Sequence, residues 1–280
     1  MTEQKTILIT GGTSGIGKET AIALAKKGAT VVFTARTEEA GEVARKEIID
    51  QSGNPSVSVL VADLSSLASV RHLAEEFMKR YPRLDVLINN AGVLEQTRKL
   101  SRDGFEMDFA VNYLAPFLLT NLLLPVLKAS APSRIVNVSS TMHAEGAINF
   151  DDLQSEKQFD RYRAYAQSKL ALILFTKKLA KDLEGTGVTV NALHPGVIGT
   201  EMTMRNVRTM NPVAAFIFKR TLLTPAQGAE TSVFLAAAPD VANISGEYFD
   251  KKKIATVSPL ADNAALADKL WDISTKLVGL

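Results

Sequence analysis

The stretch KTILITGGTSGIGKETAIALAKKG, residues 5–28, decides the fold. Lys5 to Thr10 is a short apolar run rich in β-formers, so it reads as a strand. Gly11, Gly15 and Gly17 follow with the spacing G-x-x-x-G-x-G. Then comes a helical pattern, with Gly28 placed to end it. The spacing differs from G-x-G-x-x-G, but the physics is the same. Glycines allow a tight turn and close backbone approach, and the N-terminus of the following helix attracts a diphosphate. A glycine-rich turn alone is a weak signal. Between a strand and a helix it marks a dinucleotide site, with Gly11, Thr13, Ser14, Gly15, Ile16 and Gly17 lining it.

Outward from this unit the pattern repeats. Strands are predicted at 30–34, 56–62, 84–89, 134–139 and 188–193, with a last short one near 247–250. Helices are predicted at about 38–51, 67–80 and 104–129, around Tyr165, and at about 225–238. The strands are continuously apolar, as in a parallel sheet covered on both faces, and their alternation with helices means βαβ units. No linker, repeat or low-complexity segment interrupts them. The expectation is α/β: one Rossmann-type, doubly wound parallel sheet, a single domain over 1–280. Residues 1–100 form mainly the cofactor half, and 101–280 the catalytic half with a lid at about 197–224.

Composition removes other classes. Charged residues are 22% and the formal net charge is +2, so nothing suggests a nucleic-acid footprint. The run Lys251–Lys253 reads as a solvated turn. The absence of cysteine excludes disulfides, thiol catalysis and cysteine-ligated metal. His72, His143 and His194 are not spaced as metal ligands. The N-terminus carries no cleavable signal pattern. The most apolar stretch, Tyr113–Leu127, is broken by Pro116, Asn121 and Pro125 and reads as too short to span a bilayer. A cytoplasmic protein without an integral membrane segment is expected.

Further signals concern the cofactor. The second strand ends TVVFTAR. An acidic residue near that point binds the ribose 2′-hydroxyl of NAD. Arg36 stands there instead and suits a 2′-phosphate, so NADP is preferred over NAD; alternatively Arg36 is a surface arginine and both bind. Asp63, followed by Leu64, can accept the adenine amino group or cap the next helix. Asn89, Asn90, Ala91 and Gly92 end the fourth strand with small residues, which let a cofactor lie against the backbone. In AYAQSKLALILFTKKLA, residues 164–180, Tyr165 and Lys169 are four apart and share one helix face. A cation beside a phenol is expected to lower the tyrosine pKa from about 10 and to fit it for proton transfer.

Thr10–Gly17, Asn89–Gly92, Tyr165 with Lys169, and His194-Pro195-Gly196 together resemble the short-chain dehydrogenase/reductase family over nearly the whole chain. KETA after the glycine turn, DLSSLASVR from Asp63, DGFEM from Asp103, SAPSRIVNVSS from Ser130 and LWDISTKLVGL from Leu270 resemble its retinol dehydrogenase branch. So does the long connection between Ser140 and Tyr165, which are 25 positions apart. By comparison with the animal retinol dehydrogenases, an N-terminal hydrophobic anchor is not expected here. The resemblance implies that Tyr165 is the acid/base and that Lys169 holds the nicotinamide ribose. It implies a serine that hydrogen-bonds the substrate oxygen, Ser140 by motif match, with Ser139 the alternative. Asn112 matches an asparagine that holds a relay water, or is a buried polar residue bonded to backbone. Pro195, Gly196 and Thr200 match the loop over the nicotinamide.

Residues 201–223 are the expected lid. Met202, Met204, Met210, Phe216, Ile217 and Phe218 suit an apolar carbonyl or alcohol, or else a core-packing helix. The expected activity is NADP(H)-dependent hydride transfer to or from such a substrate. A different class is a catalytically silent dinucleotide-binding redox sensor. A third is a light-driven pigment reductase, against which the lack of cysteine counts. A homo-oligomer on the site-flanking helices is possible by resemblance, unless the long C-terminal segment blocks it.

Overall fold

The protein is described by a computed structural model over residues 4–200, 203, 204, 211 and 220–280. In chain order come β1 (Thr6–Ile9), α1 (Gly15–Lys26), β2 (Thr30–Ala35), α2 (Glu38–Ser52), β3 (Val57–Val61), α3 (Leu67–Arg80) and β4 (Val86–Asn89). Then follow α4 (Met107–Ala129), β5 (Ser133–Val138), α5 (Arg161–Asp182), β6 (Val188–His194) and α6 (Pro225–Ala237). The chain closes with β7 (Tyr248–Asp250), β8 (Lys253–Ile254) and α7 (Ala264–Val278). Strand order is β3-β2-β1-β4-β5-β6-β7-β8, parallel except for the β7–β8 pair. The order reverses between β1 and β4, and there an open α/β sheet leaves its ligand crevice.

Strand residues alternate between two cores. Leu8, Val32, Leu87 and Ile135 face a layer of α3, α4, α5 and α7. Ile9, Val31, Phe33, Ile88 and Val136 face the other layer, with α1, α2 and α6. Both faces are covered, which is why these strands read as apolar runs. Helix ends obey local chemistry. Thr37 caps α2, and Gly53 at φ 71° ends it. Thr224 and Gln227 form a capping box at the start of α6.

Three differences from the sequence reading stand out. α4 is 23 residues long and apolar enough to meet the length and composition test for a membrane span, but most of it is buried inside the protein. Its apolarity is that of a core helix. The N-cap of α3 is Ser66, which accepts from Ser69 N, so Asp63 does not cap that helix. The third is α7, which the sequence reading did not predict. Its buried face is Ala267, Leu270, Ser274 and Val278. Asn263 caps it, and Gly279 at φ 69° ends it. α7 lies on α4 and α5. Trp271 packs edge-on to Phe117 at 4.9 Å and stacks with Phe175 at 5.8 Å. The Tyr113 and Ser274 hydroxyls are 2.7 Å apart. Lys251 and Lys252 form an exposed turn between β7 and β8.

Candidate active site

The glycine turn is built by steric necessity. Gly11 and Gly15 have φ of +71° and +56°, which disfavours a side chain. A Cβ on Gly17 would collide with the Gly11 carbonyl oxygen and lie 2.5 Å from Asn90 Nδ2. Gly12, which sequence reasoning passed over, leaves no space either: a Cβ there would lie 2.6 Å from Phe33 Cβ. The adjacent β4 end ties the turn down. Asn90 Nδ2 donates to Thr10 O at 2.8 Å and Gly11 O at 3.1 Å, while Asn90 N and Ala91 N donate to Thr10 Oγ1 at 3.0 and 3.1 Å. Ser14 is extended at the N-cap of α1, its side chain accepts no cap bond, and no acidic residue stands in the first turn. The first amides of α1, at Gly15, Ile16 and Gly17, are therefore left to an anion. These features fit the diphosphate of a dinucleotide.

At the end of β2, Arg36 is exposed. Its neighbour Thr37 joins Thr13, Lys18 and Glu39 in lining a hollow of about 450 Å³. Lys18 pairs with Glu47 at 2.7 Å. Asp63 holds Ser65 N and Oγ on one carboxylate oxygen, at 3.0 and 2.7 Å, and Arg102 Nε on the other at 3.0 Å. Burial works to raise its pKa, but these partners outweigh it and hold the carboxyl below the usual range. Leu64 packs on the core.

The second cluster gathers four elements. α5 carries Tyr165 and Lys169, with Lys169 Nζ 5.5 Å from the centre of the phenol ring. Lys169 is buried, and its Nζ donates to Val138 O at 3.0 Å. Ser139 and Ser140 follow β5 and differ in their partners. Ser139 Oγ donates to Lys169 O at 3.0 Å, away from the ring. Ser140 starts a 3-10 turn, its Oγ accepts from Met142 N at 3.2 Å, and it lies close enough to Tyr165 to work against the rise in the phenol's pKa. Gly92 provides the floor: a Cβ there would lie 3.4 Å from Lys169 Nζ and 3.2 Å from Asn112 Oδ1.

Asn112 sits in a π-helical turn of α4, Ala110–Leu114, a distortion that often marks a functional position. Its Oδ1 accepts from Val93 N at 2.7 Å, and its Nδ2 donates to Val93 O at 2.9 Å and Ser168 Oγ at 3.0 Å. Backbone bonding is thus part of its role, and it pins the chain just beyond Gly92.

The electrostatics correct one expectation. Tyr165 is not lowered but pushed up to about 12. Burial dominates, Ser140 opposes it, and the charge of Asp108 adds to the rise. The Lys169 ammonium lies over the ring and bonds to backbone, so it does not offset desolvation of a phenolate. Burial also lowers Lys169 to about 8, against the pull of Asp108. Asp108, one turn before Asn112, is a residue the sequence reading missed. The only signal was an acid in the otherwise apolar start of a core helix, EMDFAVNYL.

On the facing loop, His194 Nδ1 accepts from Thr141 N at 3.3 Å. Beyond Pro195, Gly196 has φ +96°, and a Cβ there would lie 2.6 Å from Leu223 Cδ1. The Thr200 methyl reaches within 3.2 Å of the point a Gly15 Cβ would occupy, so this loop arrives at the glycine turn. Of the expected lid residues, Met204 is half-buried and donates from its N to Thr200 O at 2.9 Å. Met202, Met210, Phe216, Ile217 and Phe218 lie outside the described residues.

A dinucleotide cradle at a sheet switch point, next to a Ser-Tyr-Lys cluster, defines a class. The family model "short chain dehydrogenase" matches residues 5–211. The chain belongs to the short-chain dehydrogenase/reductase family, oxidoreductases that act on CH–OH and C=O groups. Within it, this is a chain of the retinol dehydrogenase-like branch. It is 46% identical to retinol dehydrogenase 13 of Mus musculus over 99% of this chain and 84% of that protein. It is 47% identical to retinol dehydrogenase 14 of Homo sapiens, over 99% and 87%. An uncharacterized protein from Mycobacterium paratuberculosis superposes with a TM-score of 0.81 at 32% identity, over 99% of this chain and 94% of that one. The Pseudomonas aeruginosa RhlG/NADP active-site complex superposes at 0.71 with 27% identity, over 94% and 96%.

Proposed function

We propose that this protein is an NADP(H)-dependent reductase or dehydrogenase of an apolar carbonyl/alcohol pair, with Tyr165 as its acid/base. The observation that carries this reading is Lys169 Nζ lying between the Tyr165 ring and the open floor at Gly92, next to the glycine-turn cradle. A bound dinucleotide supplies the hydride; its diphosphate would rest on Gly15–Gly17 and its nicotinamide end beside Gly92, Lys169, Pro195 and Thr200. Ser140 donates to the substrate oxygen and holds the carbonyl against Tyr165. The Tyr165 O–H bond breaks as the alcohol O–H forms, and Lys169, buried beside the ring, would hold the nicotinamide ribose. A phenol that keeps its proton up to about 12 is poised as the acid, the role needed for reduction. Arg36 at the end of β2, beside the hollow at Thr13 and Thr37, supports a 2′-phosphate and hence NADP. The names of the relatives, retinol dehydrogenases 13 and 14, support an apolar substrate.

The test is NADPH oxidation against aldehydes and ketones from retinal to short aliphatics, repeated with Tyr165→Phe. The expected result is turnover on apolar carbonyls that falls roughly 10²–10⁴-fold in the variant while NADPH affinity persists. Tight NADPH binding without turnover on any carbonyl would replace this reading with a silent redox sensor.

A further inference from the structure

Ser140 is held in place by a histidine that the scheme above leaves out. Ser140 stands extended at the start of the 3-10 turn Thr141–Glu145, and its Oγ accepts from Met142 N at 3.2 Å. A hydroxyl that accepts this bond keeps its own hydrogen free to donate. The arrangement lasts only while the turn keeps its shape. That shape rests on the Ser140 carbonyl, which takes two donors from one residue, His143 N at 3.2 Å and His143 Nδ1 at 2.7 Å. The His143 ring is buried. A carbonyl oxygen only accepts, so Nδ1 carries the hydrogen. On the far side of the ring, Ser258 N donates to Nε2 at 3.4 Å, so Nε2 carries none. The two partners fix one neutral tautomer. Tyr248 on β7 meets the ring edge-on at 4.8 Å. The turn has no slack elsewhere. Gly146 N donates to His143 O at 3.1 Å, and a Cβ on Gly146 would lie 2.5 Å from the carbonyl oxygen of Ala166, the residue after Tyr165 on α5. Ser258 stands just before the 3-10 turn Pro259–Asp262 that leads to α7.

We propose that His143 is a positioning residue for the reaction: its Nδ1–H holds the Ser140 carbonyl, and with it the turn that keeps the Ser140 hydroxyl ready for the substrate oxygen. This rests on the reading of Ser140 as the donor to that oxygen. His143 is buried behind Ser140 and acts through it. Through Nε2 the same ring is bonded to a residue 115 positions further along the chain. The C-terminal segment therefore shares in setting Ser140.

Two amide variants separate this role from simple support. An asparagine amide reaches the place of Nδ1 and can donate to Ser140 O. A glutamine amide reaches the place of Nε2 and can accept from Ser258 N, but leaves Ser140 O a donor short. With NADPH and an apolar aldehyde, His143→Gln should lower kcat roughly tenfold, the loss of about one buried hydrogen bond, and leave KM for NADPH within about twofold. His143→Asn should keep kcat within about threefold while its melt falls, because it gives up Ser258. In the wild type at neutral pH, 15N spectra of imidazole-labelled protein should show His143 as the Nδ1–H tautomer, assigned by its through-space contact with the Tyr248 ring. An Nε2–H tautomer or a charged ring overturns the proposal, even if neither variant folds. Equal loss of kcat in the two variants, the mark of a merely structural histidine, also overturns it, as does a folded His143→Gln with wild-type kcat. If no carbonyl is turned over, the reading of Ser140 fails on its own, and the imidazole spectrum still decides whether Nδ1–H holds its carbonyl.

Discussion

Replacing Gly17 with alanine tests the cofactor cradle most directly. The new Cβ would meet the Gly11 carbonyl oxygen and sit 2.5 Å from Asn90 Nδ2. Ordinary contact begins near 3.4 Å, so Asn90 must retreat by 3.4 − 2.5 = 0.9 Å. That amide donates to Thr10 O and Gly11 O. Displacing it weakens two hydrogen bonds, each worth about 0.5–1.5 kcal/mol, and overpacking itself costs about 1–3 kcal/mol. If the turn relieves the clash by moving, about 2–3 kcal/mol appears as lost affinity. That is roughly a 30- to 150-fold rise in Kd at about 1.4 kcal/mol per decade. Titration by NADPH fluorescence measures it, with thermal melts reading any cost to the fold. Gly28→Ala is the control: nothing lies within 4 Å, and only its φ of +85° is violated. It should cost about 1–2 kcal/mol of stability and leave NADPH affinity at the wild-type value. Gly17→Ala binding NADPH as wild type, with an unchanged melt, would refute the steric argument.

Arg36→Ala should cut the preference for NADPH over NADH by roughly 10- to 100-fold, the value of about 1.5–3 kcal/mol for a hydrogen bond to a charged group, read from kcat/KM with each dinucleotide. Ser140→Ala should abolish most turnover in steady-state assays while the melt is retained; for Ser139→Ala, whose hydroxyl serves Lys169 O, the melt should fall as well. Leu270→Ala on α7, at 1% exposure, should cost about 2–5 kcal/mol in urea unfolding. Asp108 binds a proton more tightly folded, near 8, than in its ordinary state at 3.8. Its contribution to stability is therefore present below about pH 4 and lost as pH rises to 8. Asp108→Asn should gain stability relative to wild type between those limits, measured by denaturant midpoints at several pH values.

The layered sheet was legible because its causes are local. The strand–glycine–helix unit at 5–28 and the buried runs that became β2 and β5 carry their own signals, as do the end glycines 28 and 53. Tyr165, Lys169, Ser140 and Asn112 were legible as a set, since each sits in a motif. What each does in place was not legible. The phenol's pKa depends on how far burial outruns Lys169, and Asp108 is buried against groups from distant positions. Ser139 and Ser140 read alike in the sequence, and only the path of the chain after β5 shows the Ser139 hydroxyl on Lys169 O. α7 did carry a signal, Asn263 and Gly279 bracketing an apolar repeat, yet its short apolar positions alternate with charges and nothing nearby shows what they cover.

The placement of α7 has a consequence for synthesis. Phe117, Phe175 and Tyr113 are made well over a hundred, ninety and a hundred and fifty residues, respectively, ahead of their partners Trp271 and Ser274. Until the ribosome has extruded residues 264–278, the aromatic outer face of α4 and α5 stands bare. The contacts that close it are among the longest in sequence, so they lie late in folding, when loop closure is entropically dearest. Anything that stalls translation before residue 264 leaves a nearly complete sheet with a sticky flank, the kind of species that aggregates.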